Sequence, residues 1–468
     1  MKRKRRISRP VFFHGIADKG MAVGRDADGK VYFGSGVVPG DTATLQLGRK
    51  KKGFSTGTVN EIQDYSLFRQ EAPCPHFELC GGCKWQQLSY DEQLRQKERS
   101  VYDVMQRIGK VDNAEWLPII GADSVYEYRN KLEYTFSNKR WLSVEEINSD
   151  EQIDDRDGLG FHRPGAFDKV IDIQKCLLQA DPSNEIRQRV RELARDYALP
   201  FYDIRLNKGV LRNLVIRTST LGQVMVILIV KKRVSEVDQL LQDMIREFPS
   251  ITSLFLVINS KVNDMWIDQP IVHIHGEEYL EEKLGEVHFK INPKSFFQTN
   301  TRQAELLYDT VVDFADFRGD EKVVDLYTGI GSIALYVAGK VKEVIGIETI
   351  PEAIEDARMN ADFNHMKNTV FYTGDVKDLF DSAFIDRHGR PDLLITDPPR
   401  AGMHENVVEM LKTSGIPRIV YVSCNPATQA RDVQLMKDTY VVEKVQPVDL
   451  FPHTHHVESV ALLNLQNG

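Results

Sequence analysis

Residues 323–335 read VVDLYTGIGSIAL. An aliphatic run ends at Leu326, a turn carries Gly329-x-Gly331-x-x-Ala334, and an apolar stretch with helical spacing follows. Glycines let a backbone turn tightly against a ligand, and a helix start behind them offers free N–H groups. The pattern suits a dinucleotide loop, an S-adenosylmethionine loop or a plain tight turn. Its surroundings decide the fold. VVDL, VIGIE, TVFYTGD, DLLITD and IVYVSC are short apolar strands, each followed by turn residues and mostly by a helical pattern. From residue 286 onward this predicts an α/β unit, a doubly wound, mostly parallel, Rossmann-like sheet.

The strand ends supply the chemistry. Glu348 closes the second strand, where its carboxylate can accept hydrogen bonds from both hydroxyls of a ribose, and Asp375 closes the third. The fourth leads into ITDPPRAGM (395–403), in which Asp397 and two prolines make a rigid extended turn at the crevice where open α/β sheets bind ligands. Hydride transfer does not call for that element, so the NAD reading weakens. The turn is similar to the acidic-Pro-Pro-aromatic turn of amino-group methyltransferases, but Arg400 stands in the aromatic position, which points away from an exocyclic amine. The fifth strand, RIVYVSCNPATQARD (418–432), delivers Cys424 to a turn, with Asn425 as N-cap and Pro426 as first helical residue. A helix N-terminus favours a thiolate, the nucleophilic form. A small buried hydrophobe is the bland alternative for a free cysteine.

Upstream, residues 126–290 alternate strand-like runs (NKLEYTF, LVIRTS, QVMVILIV, SLFLVIN) with an amphipathic helix, VSEVDQLLQDMIREF, and read as α+β. The acidic stretch at 145–158 reads as an exposed loop. Residues 72–97, APCPHFELCGGCKWQQLSYDEQLRQK, pass from a cysteine-rich loop to a polar helix starting near Tyr90. From Val11 to Tyr65, turn signals such as DADGK and FGSGVVPGD break up short apolar stretches, as in a small antiparallel β-barrel. The boundaries drawn are 1–66, 67–285 and 286–468, with a helix near 90–120 able to pack on the catalytic unit.

The 468 residues carry a net charge of −8, yet residues 1–64 hold thirteen Lys or Arg against six Asp or Glu. MKRKRR alone reads as a solvated tail; Arg49-Lys50-Lys51-Lys52, inside folded sequence, points to a phosphate-binding face. No apolar run reaches the roughly 18 residues of a membrane helix, and no apolar segment follows the basic N-terminus as in a secretory signal, so a cytoplasmic location is expected. Five cysteines in such a chain argue for metal or catalysis over disulfides. Cys74, Cys80 and Cys83 lie close together, and 92 residues separate Cys83 from Cys176. Zinc usually takes two close pairs, and an iron–sulfur cluster tolerates this spacing better.

NPKSFFQTN, DLYTGIGSIAL, TDPPRAGM, YVSCNPATQARD and PHTHHVESVALL, in that order and spacing, resemble the motifs of the RNA (uracil-5-)-methyltransferase family. The N-terminal barrel resembles a TRAM domain, which is OB-like. Cys74, Cys80, Cys83 and Cys176 resemble the iron–sulfur motif of the branch acting on 23S ribosomal RNA. The resemblance spans nearly the whole chain. It implies S-adenosylmethionine as methyl donor, a [4Fe–4S] cluster on those four thiolates, and 5-methyluridine in 23S ribosomal RNA as product. Cys424 would add to uracil C6 and Glu458 would remove the C5 proton, with a strand-edge glutamate as the bland alternative for Glu458. Gln298, Tyr327, Gly329, Gly331, Ser332, Glu348, Asp375 and Asp397 would surround the donor, Gln298 and Asp397 also reaching the base. His453, His455 and His456 are expected to belong to the loop that positions Glu458, not to a metal site. A monomer is expected. Transfer RNA is the alternative substrate, and a non-catalytic RNA-binding protein the alternative class.

Overall fold

The computed structural model describes residues 6–48, 53–149 and 152–466. Most of MKRKRR, all of Arg49-Lys50-Lys51-Lys52, and Asp150 and Glu151 of the acidic stretch lie outside the described residues. Strands Val11–Ile16, Ala22–Arg25, Val31–Ser35, Thr42–Leu47 and Phe54–Asp64 close into a barrel. Its pairings are antiparallel except for Phe54–Asp64 alongside Val31–Ser35. The inward side chains Val11, Phe13, Tyr32 and Leu45 fill it.

A seven-stranded sheet follows, with Leu211–Thr218 and Val224–Val230 near its centre. Every residue of Val224–Val230 is buried. The reason is that both faces are covered: helices Ser183–Asp196 and Ser235–Glu247 lie on one, and on the other Met225, Ile227 and Ile229 share a core with Phe289, Ala304 and Leu307. Burial of this kind, at roughly 25 cal/mol per Å² of apolar surface, holds the central and C-terminal parts together. The acidic stretch is not simply a loop. Val144–Asn148 is a short helix with a capping box at Ser143, and Glu146 pairs with Arg140 at 2.6 Å.

The C-terminal sheet has eight strands in the order 369–373, 343–348, 322–326, 393–396, 418–423, 458–465, 440–448, 115–116. The first five are parallel, and Glu458–Leu465 enters antiparallel beside Arg418–Ser423. Strand order reverses between 322–326 and 393–396, which opens the ligand crevice at their carboxyl ends. The eighth strand, Glu115–Trp116, comes from far upstream and was not foreseen from sequence. Helix Tyr90–Val104 leads toward it and continues as a π-turn, Met105–Gly109, against helix Pro426–Met436.

Candidate active site

Two cavities meet above the crevice. The larger, about 1400 Å³, is lined by Tyr327, Gly329, Ser332, Glu348, Asp375 and Asp397 among others. Tyr327, the first residue past its strand, has φ 64°, a left-handed conformation uncommon for a tyrosine and typical of functional turns. Gly331 does not line the cavity. At φ 80° it caps helix Ser332–Ala338, and an added Cβ would lie 3.2 Å from that of Ala357, so its role is the close turn. Glu348 fixes the loop by accepting the Gly329 N–H at 3.2 Å and the Thr349 and Ile350 N–H groups at 2.7 and 3.0 Å. Asp375 caps a short helix and pairs with Lys377 at 2.6 Å, which holds its carboxyl below the ordinary range. Buried Tyr308, unnoticed in the sequence, donates to Ser332 Oγ at 3.0 Å. A carboxylate at the second strand end, a glycine turn and an aromatic lip form a donor set suited to a ribose with an adenine and a charged tail. These residues fit S-adenosylmethionine.

The second cavity, about 910 Å³, holds Cys424, Glu458, Arg400 and all four remaining cysteines on its wall. Gln298, Asp397, Pro399 and Phe296 line both cavities. The sheet register explains how thiol and carboxylate meet: Ser423 pairs with Ser459 across antiparallel strands, so Cys424 and Glu458 occupy the next rung. A parallel strand there would have carried Glu458 to the far end of the sheet.

Burial dominates the electrostatics. It pushes the Glu458 carboxyl up to about 8, aided by Asp397 and opposed by Arg400. Asp397 borders the cavity but is so enclosed that its carboxyl rises to about 7. The Cys424 thiol is pushed up to about 11 by burial and by Glu458 and Asp397, while Arg400, hydrogen-bonded to it, pulls the other way. The expected lowering of the thiol by its helix N-terminus is thus outweighed, because two acidic neighbours and desolvation exceed the partial charge of a helix end. Asn425 is the N-cap, and its side-chain amide donates to the Arg400 carbonyl at 2.9 Å, tying the DPPR turn to the nucleophile turn. In sequence Arg400 was visible only as a departure from an aromatic position; its contact with Cys424 could not be read there.

Cys74, Cys80, Cys83 and Cys176 face one another closely enough that each of Cys80, Cys83 and Cys176 is pushed up by other thiols of the set as well as by burial. Among the described residues, no group of three or more His, Cys, Asp or Glu converges as a single metal ion requires. The cysteine loop is joined to the segment before Glu458: the Lys84 and Trp85 N–H groups donate to the His453 carbonyl at 2.8 and 3.1 Å. His453 is buried and stacks on Tyr126, and burial lowers both His453 and His456 to about 4.

A family profile described as tRNA (uracil-5-)-methyltransferase matches residues 211–466. An uncharacterized RNA methyltransferase of Bacteroides thetaiotaomicron is 49% identical over 455 residues, covering 96% of this chain and 100% of that protein. Another, from Chlorobaculum tepidum, is 36% identical, covering 95% of this chain and 94% of its own. Among solved structures, the tRNA (uracil-54, C5)-methyltransferase of Pyrococcus abyssi in complex with S-adenosyl-L-homocysteine superposes with a TM-score of 0.77. It is 26% identical, covering 97% of this chain and 100% of that one.

Proposed function

The chain belongs to the RNA (uracil-5-)-methyltransferase family, and on that premise we propose that it forms 5-methyluridine in 23S ribosomal RNA with Cys424 as nucleophile and Glu458 as base. The observation that carries this is the single rung bringing Cys424 opposite Glu458 in a cavity that shares Gln298 and Asp397 with the donor pocket. Uracil C5 is a poor nucleophile until something adds to C6. Cys424 Sγ, in its thiolate form, makes that bond, and the ring electrons move to C5 and the C4 carbonyl oxygen. Glu348, Asp375 and the 327–332 turn would hold S-adenosylmethionine, whose sulfonium methyl would pass to C5 with S-adenosylhomocysteine as the leaving group. Glu458 then takes the C5 proton, the C5–C6 double bond re-forms, and the Cys424 thiolate leaves. With the carboxyl raised to about 8, it is the ionised fraction of Glu458, growing as pH rises toward 8, that accepts the C5 proton. Arg400 balances the thiolate when it is free.

Cys74, Cys80, Cys83 and Cys176 would hold a [4Fe–4S] cluster. The four thiols line one cavity wall, and in a cubane each thiolate would bind its own iron. The barrel of residues 1–66, with its net +7 over residues 1–64, would grip phosphates, 67–285 would present RNA and cluster, and 286–468 would carry the chemistry. Transfer RNA is the second reading, favoured by what the Pyrococcus abyssi relative acts on. Mapping 5-methyluridine in total RNA from cells with and without the gene separates them. Loss at a 23S position is expected; loss confined to transfer RNA would move the assignment, and no loss anywhere would refute it.

A further inference from the structure

Helix Tyr90–Val104 buries the wrong kind of residue. Its buried positions are Glu92, Gln93, Gln96, Lys97 and Val101, four polar side chains to one apolar. Polar groups taken from water cost free energy unless they find partners, so this face exists for the partners it meets. Gln93 Nε2 donates to the Trp85 and Leu88 carbonyls at 3.0 and 2.8 Å and lies 3.2 Å from His453 Nδ1, while its Oε1 accepts the His453 N–H at 2.8 Å. One turn on, Lys97 Nζ donates to Asp449 Oδ1 at 2.6 Å and to the Phe451 carbonyl at 3.0 Å, and the Lys97 and Asp449 side chains are both 0% exposed. Asp449 also accepts from Tyr90 Oη at 3.1 Å and from the Phe451 N–H at 2.9 Å.

Asp449, Phe451 and His453 lie in one segment, whereas the Trp85 and Leu88 carbonyls lie just before the helix and Gln96 Oε1 accepts the Ile16 N–H of the barrel at 3.1 Å. Segment 449–457 joins strand Tyr440–Val448 to strand Glu458–Leu465, and the second strand begins on Glu458. A helix some 350 residues upstream in the chain therefore sets the position of the connection that presents the carboxylate. Stability is a poor reason for such a pair, since well-packed apolar residues in place of a buried ion pair are often no less stable. What a fixed charge in a dry interior does supply is one defined geometry.

We propose that Lys97, through Asp449, is a positioning residue for the proton-abstraction step, holding the loop that aims Glu458 at the substrate. This rests on Glu458 being the base. Two variants test it. Lys97→Met/Asp449→Leu removes both charges and leaves neither unpaired; Gln93→Met loosens the His453 side of the same clamp without touching a charge. In each, S-adenosylmethionine binding and formation of the Cys424–uridine bond should stay within about twofold of wild type. Breakdown of the covalent protein–RNA intermediate should slow at least tenfold, approaching roughly 100-fold if the carboxylate moves by about 1 Å. The readout is denaturant-resistant protein–RNA complex over time in a single turnover, which a purely structural role would not raise. Intermediate breakdown at the wild-type rate in either folded variant overturns the proposal. Wild-type protein that makes no 5-methyluridine would overturn the assignment of the site itself, and this inference with it.

Discussion

Replacing Glu458 by Gln should stabilise the protein, increasingly so as pH rises. The unfolded carboxyl titrates near 4.5 and the folded one near 8, raised chiefly by burial. Below pH 4.5 both states hold the proton and Glu458 adds nothing to the pH dependence. Between 4.5 and 8 the unfolded chain gives up its proton while the folded one keeps it, so the folded state binds more protons and stability falls as pH rises. Above 8 the penalty levels off. A separation of about 3.5 units at about 1.4 kcal/mol each gives about 5 kcal/mol, against about 1 kcal/mol at pH 5. Relaxation of the site and response of Asp397 absorb part of this, so the difference between variant and wild type should grow by about 2 to 4 kcal/mol from pH 5 to pH 9. Urea unfolding of both proteins at the two pH values measures it, and the double difference cancels what the rest of the chain contributes. A difference that does not change with pH, or a variant less stable than wild type at pH 9, would refute the claim that Glu458 is held as a buried, raised carboxyl.

Cys424→Ala should abolish methylation and leave S-adenosylmethionine affinity unchanged by calorimetry, because the thiol lines the second cavity and not the donor pocket. Arg400→Gln removes a neighbour that lowers the Cys424 thiol, so alkylation of the Cys424 peptide at pH 9 should slow severalfold by mass spectrometry; faster alkylation would contradict the electrostatics. Protein purified without oxygen should be brown with about four iron atoms, as a cubane on four thiolates requires, and one tightly bound zinc instead would contradict that assignment. Deleting residues 1–66 should weaken RNA binding and flatten its dependence on salt, since phosphate contacts give affinity that falls with ionic strength; an unchanged slope would move recognition to the central domain.

The parallel strands were legible because each is a short apolar run ended by a chemically distinctive residue, and Glu348, Asp375, Asp397 and Cys424 stand at those ends. The barrel was legible from its turns. What stayed hidden depends on contacts between distant segments. Helix Tyr90–Val104 shows no apolar stripe, since its buried face is Gln93, Lys97 and their neighbours, and hydrophobic periodicity would place that face in water. Glu115–Trp116 is too short to register as a strand. The rise of the Cys424 thiol needed the antiparallel rung that brings Glu458 beside it, and pairing of residues 34 apart is not written in either local pattern.

The central claim is that Cys424 bonds to C6 of a uridine while Glu458 removes the proton from C5. RNA carrying 5-fluorouridine tests it directly, because fluorine at C5 cannot leave as a proton and the reaction stops at the methylated adduct. Incubation with S-adenosylmethionine, digestion and mass spectrometry should find a methylated fluorouridine attached to the peptide containing Cys424, and none in Cys424→Ala. An adduct on another residue, or methylation of ordinary RNA with no adduct on the fluorinated substrate, would contradict the account.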